Sequence, residues 1–142
     1  MTHCSRADTL AKREIHASRE SPEREAPDMM LLPNCGAVVT AALGCLGMLF
    51  PAAVSRLLGI QPTGPLGISE LRATYGGFFL CLGIGCVGTQ SATVFAVVGA
   101  AWCAAAVARL LSLAVDGSRS SRNAAGIAFE ASVGLAMLSA GY

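Results

Sequence analysis

Six side chains in the apolar part of this chain could do chemistry: Glu70, Arg72, Tyr75, Arg109, Asp116 and Glu130. Arg109 stands inside CAAAVARLLSLAVDG, residues 103–117, with no other charge until Asp116. A guanidinium at the centre of a bilayer costs about 2.5–3.5 kcal/mol even on the lenient insertion scale, so it demands a counter-charge. Arg109 precedes Asp116 by seven residues and Glu130 follows Asn123 by seven. Each therefore lies about 10 Å inside its helix as measured from the polar turn between them. In an antiparallel hairpin the two reach the same depth, and Glu130, flanked at i±4 by Gly126 and Gly134, sits on the smooth face that can meet a neighbouring backbone. SELRATYGG brings Glu70, Arg72 and Tyr75 to the same level or slightly shallower. The expectation is that Glu130 holds Arg109, with Glu70, Arg72, Tyr75 and Asp116 close by. Such a cluster has three uses: a structural network that sets helix register, a pocket for a headgroup, quinone or small anion, or part of a proton or ion pathway.

The elements that must position these residues follow from composition. Of 142 residues, 54% are apolar and only 13% charged, against about a quarter charged in an ordinary soluble domain. The charges crowd into residues 1–28, a polar tail with too few large apolar residues to fold by itself. Residues 29–142 form the membrane domain, where four runs are long enough to cross hydrocarbon, about 17–25 residues each. They span 31–50, 71–90, 93–115 and 124–142. Backbone groups in lipid must be bonded internally, and runs without strand alternation are helices. The fold class is all-α, an integral membrane four-helix bundle made of antiparallel helical hairpins. Gln90 and Ser91 leave room only for a tight turn, and Asp116 to Asn123 opens with Asp-Gly, a turn signal. The breakers Pro62, Gly64, Pro65 and Gly67 mark residues up to 69 as loop, preceded by a short interfacial helix in AAVSRLLGI.

The tail fits neither a secretory signal nor an acid-poor transit peptide. Translation starting at Met29 or Met30 would omit it. Nine arginines to one lysine suggest a high-GC genome and a bacterial inner membrane. Four spans put both chain ends on one side. The positive-inside count ties, with Lys12, Arg13, Arg19 and Arg24 against Arg56, Arg72, Arg119 and Arg122; a start at Met29 or Met30 makes the loop side cytoplasmic.

Several features resemble chemistry and are better read as helix surface. GIGCVG, residues 83–88, matches G-x-G-x-x-G literally, but lies inside a span, without the preceding strand that a phosphate loop needs. Small residues there, and the stripe Ala96, Ala100, Ala104 and Ala108, suit close helix approach, so that both hairpins should be tight. The six cysteines show no C-x-x-C, and the only histidines, His3 and His16, are in the tail. No histidine-rich metal site, histidine-ligated haem or histidine-activated nucleophile pair can be assembled in the spans, and the five cysteines there read as small apolar residues. No cofactor is expected, and a net charge near zero gives no ground for nucleic acid.

The order of Pro51 and a following LLG, ELRATYGG opening the second helix, ARLLSLAVDG closing the third and a glutamate in AFEAS resembles a bacterial family of small four-span membrane proteins, the domain of unknown function numbered 4345. The likeness covers residues 32–140. It implies that Glu70, Arg72, Gly76, Gly77, Arg109, Asp116, Gly117 and Glu130 fall on recurring positions, and it implies no reaction. Two function classes remain: a non-enzymatic binding or accessory subunit whose polar end holds a membrane lipid, a membrane protein partner or a second copy, and a small transporter or ion- or proton-conducting protein.

Overall fold

The computed structural model describes residues 30–141, so the tail expected over residues 1–28 lies outside it. The described chain forms five helices: α1 (Leu31–Leu49), α2 (Pro51–Leu58), α3 (Gly64–Thr89), α4 (Ala92–Val115) and α5 (Ser121–Leu138). A 3-10 turn, Ser139–Gly141, extends α5. Four are long and apolar enough to cross a membrane; α2 is the short fifth. All four carry large hydrophobic side chains outward, among them Val38, Ile84, Val107 and Leu135. Helices apolar all round belong in lipid.

Two boundaries differ from the expectation, both where polar or helix-breaking residues were read as loop. α3 begins at Gly64, because Pro65 stands in its first turn, where no helical N–H is lost. α5 begins at Ser121, because the Ser120 side chain accepts from the Asn123 N–H at 3.1 Å and caps it. Gly117, at φ 65°, closes α4 in the left-handed region as the Asp-Gly signal requires.

α3 lies along α1, α4 along α5, and α1 joins the two pairs through α5. Glycines set the first contact. A side chain on Gly47 would collide with the Tyr75 carbonyl, one on Gly44 with the Leu80 backbone, and one on Gly83 with Ala41. Between α4 and α5, Gly134 lies against Gly99 and Cys103. The hairpin of α3 and α4 is less intimate than expected. Their connection is the short turn anticipated, but Gly76 and Gly83 of α3 are spent on α1, Gly85 and Gly88 meet no neighbour, and α3 touches α4 sparingly. The stripe at Ala100, Ala104 and Ala108 faces outward; the packed face of α4 is Phe95, Val98, Gly99, Trp102 and Ala106.

The core joins Ala37, Cys86, Phe95, Val98, Trp102, Val133 and Met137. Trp102 Nε1 donates to Thr40 Oγ1 at 3.0 Å, and Thr40 Oγ1 donates to the Gly36 carbonyl at 2.8 Å. Aromatic rings continue outward on both sides of Trp102, stacked on Phe79 at 5.2 Å and edge-on to Phe129 at 5.9 Å. At the end holding residues 30 and 141, the side-chain amides of Asn34 and Gln90 exchange two hydrogen bonds, of 3.1 and 2.8 Å.

Candidate functional site

All the charges of the described chain lie toward the other end: Arg56, Glu70, Arg72, Arg109, Asp116, Arg119, Arg122 and Glu130. Arg109 Nε donates to Glu130 Oε1 at 2.7 Å, the only ion pair among the described residues. Two glycines make it possible. Gly126 leaves room for the arginine, since a β-carbon there would come within 3.1 Å of Arg109 Cζ. Gly134, one turn beyond Glu130, lets α4 and α5 approach. Glu130 is then enclosed, at 8% exposure for the residue, while the Arg109 side chain remains 36% exposed. Glu130 Oε2 is buried and has no hydrogen-bond partner.

Asn123 completes the group, and the sequence reading missed it. It is buried, its Nδ2 donates to the Ser118 carbonyl at 3.0 Å, and its Oδ1 thereby faces Arg109 Nη1 in a long contact of 3.5 Å. The signal was present: Asn123, Gly126, Glu130 and Gly134 follow one another at i, i+3, i+7 and i+11, one face of a helix.

The other expected members are not bonded to the pair. Asp116 accepts from Ser112 Oγ at 2.7 Å, one turn back on its own helix, and makes no ion pair with Arg109. Arg72 is exposed and unpaired among the described residues. Glu70 and Tyr75 line a separate open groove of about 460 Å³, walled by Ile60, Pro62, Leu66 and Thr74. This groove lies where the loop after α2 folds against the start of α3. Its far wall belongs to a widened, π-helical stretch, Arg72–Phe78, that seats the Tyr75 carbonyl and Gly76 against Gly47 and Met48 of α1. Arg122 reaches from α5 to Gly59, placing a cation beside the carboxy end of α2, where the helix dipole favours it.

Among the described residues no three His, Cys, Asp or Glu side chains gather as metal ligands would.

The profile of the family described as "Domain of unknown function (DUF4345)" matches residues 33–140. The chain belongs to this family. The match covers most or all of each of the four long helices and both parts of the charged end. No curated protein and no solved structure matches the chain.

Proposed function

We propose that this DUF4345 protein is a non-enzymatic integral membrane protein whose charged end binds the anionic headgroup of a membrane lipid. One observation carries the reading. Arg109 is gripped through Nε by a buried carboxylate, while its Nη groups are left with one long contact to Asn123 and a side chain 36% exposed. A guanidinium fixed at one edge and open at the other is preorganised to take a phosphate in the bidentate manner that lysine does not match. Its depth, about 10 Å from the turn along α4, suits a headgroup drawn slightly into the bundle.

The transport alternative lacks comparable support. Buried or bonded polar side chains occur at three levels, Asn34 with Gln90, Thr40 with Trp102, and Arg109 with Glu130 and Asn123. Buried Ala37 and Val98 lie between the first two levels along their helices, and buried Ala106 and Val133 between the last two. The same reading puts the protein in a bacterial inner membrane with both chain ends on one side and, when translation starts at Met29 or Met30, the arginine-rich end in the cytoplasm.

The test is native mass spectrometry of the full chain released from bilayers containing phosphatidylglycerol. The wild type should retain the anionic lipid. Arg109→Lys, which keeps the charge but not the fork, should retain less, and Arg109→Leu almost none. Equal retention by all three would overturn the proposal.

A further inference from the structure

The groove at Glu70 is a second feature of the charged end, and the Arg109 pair does not use it. It measures about 460 Å³, within the range of small-molecule sites. Its walls are chiefly apolar, from Ile60, Pro62, Leu66 and Leu71, and Glu70 is the only charged residue among them. Glu70 makes no ion pair among the described residues. Leu66, on the rim, is 73% exposed, so the groove opens outward at the level where the apolar helix surface gives way to charge. The π-helical stretch, which carries Thr74 and Tyr75 into the groove wall, is an independent observation, since such widened turns are frequent at functional sites.

We infer that this groove seats a phospholipid with a primary amine headgroup, its ammonium on the Glu70 carboxylate and the upper part of its chain along Ile60, Leu66 and Leu71. Charge complementarity selects the occupant. A single carboxylate in an apolar trough favours an amphiphile bearing a cation, and a primary ammonium can also donate hydrogen bonds to it, whereas a quaternary one cannot. Arg122, held beside Gly59 next to the groove residue Ile60, adds a cation near the rim for the phosphate of the same lipid. The site thus discriminates by headgroup, and the two ends of the headgroup meet charges of opposite sign.

The experiment presents the purified full chain in nanodiscs with phosphatidylethanolamine, phosphatidylcholine and phosphatidylglycerol in equal amounts, and weighs the retained lipids by native mass spectrometry. The wild type should keep phosphatidylethanolamine over phosphatidylcholine. Glu70→Gln, at an exposed position that does not threaten folding, should reduce that preference about tenfold, because the amide keeps an acceptor but loses the charge that strengthens the hydrogen bond. Leu66→Gln should weaken retention without changing the headgroup preference. Arg109→Lys should lower phosphatidylglycerol and leave phosphatidylethanolamine unchanged, so this inference and the anionic-lipid proposal fail separately. Equal retention of phosphatidylethanolamine and phosphatidylcholine, an unchanged preference in Glu70→Gln, or a second protein chain in place of lipid would each overturn it.

Discussion

Arg109 and Glu130 meet at 2.7 Å yet are unequally hidden: the arginine side chain is 36% exposed and the glutamate side chain 11%. The consequences of removing one or the other should therefore differ. Without Glu130, Arg109 can swing its guanidinium toward the headgroups along a long flexible stem. Without Arg109, Glu130 stays enclosed beside α4 with no counter-charge. Breaking a fully buried pair costs about 3–5 kcal/mol, and partial exposure lowers that figure. Arg109→Leu should accordingly lower thermal stability in detergent more than Glu130→Leu, and the double variant should lose less than the two single losses together. Strictly additive losses would mean that the pair contributes no coupling.

The glycines should divide into two classes according to what a methyl group would strike. At Gly126 it meets the guanidinium end of the Arg109 side chain, which can move, so Gly126→Ala should fold and chiefly weaken lipid retention at Arg109. At Gly47 it meets the Tyr75 backbone, which cannot move without parting α1 from α3. Gly47→Ala should cost at least the 1–3 kcal/mol or so typical of overpacking. Melting temperatures of the two variants against wild type would check the ranking.

The contrast between these positions also explains what the sequence could reveal. The four long helices were legible because apolar runs of membrane-spanning length admit no other backbone solution. The depth match of Arg109 and Glu130 was legible because both are counted from one turn by a fixed rise per residue. Glu70 and Arg72 defeated the same counting. Their level could be read, but their azimuth depends on how α3 rotates against α1, and that rotation is set by backbone contacts at Gly44, Gly47, Gly76 and Gly83, along with a π-helical stretch that breaks the regular period. The outward-facing Ala100, Ala104 and Ala108 failed for a related reason: small residues permit close approach but do not choose a partner. Asn123 was overlooked because a polar residue near Asp-Gly reads as turn, although capping by Ser120 draws it into the helix.

At the uncharged end, the turn between α3 and α4 is held by a clasp of two amides. Gln90 adopts φ 47°, unusual outside glycine, and donates from Nε2 to the Val87 carbonyl at 2.8 Å as well as to Asn34 Oδ1. Asn34→Ala removes both inter-helix amide bonds and should cost about 1 kcal/mol, each bond contributing modestly where water competes. Gln90→Gly relieves the backbone but loses the clasp, so its net effect should be smaller than that of Asn34→Ala. Chemical denaturation in a mild detergent, comparing midpoints, distinguishes the two.

The orientation of the protein should follow from the asymmetry of its charges. Among the described residues Arg56, Arg72, Arg119 and Arg122 are exposed at one end, and the opposite end has no lysine or arginine at all. Basic residues close to span ends hold their loops in the cytoplasm, while acidic ones count for little, so Glu70 and Asp116 do not offset them; Lys12, Arg13, Arg19 and Arg24 would, unless translation starts at Met29 or Met30, and the orientation expected is that of the shorter chain. With the native cysteines replaced, Ser118→Cys and Thr63→Cys should both resist a membrane-impermeant maleimide in intact cells and react once the cells are opened. Replacing Arg119 and Arg122 by serine should let a fraction of the molecules insert the other way and expose Ser118→Cys to the reagent. Labelling of the two sites from opposite faces would remove the four-span arrangement. Labelling of both from outside would keep the arrangement and reverse its orientation, putting the Arg109 site in the outer leaflet.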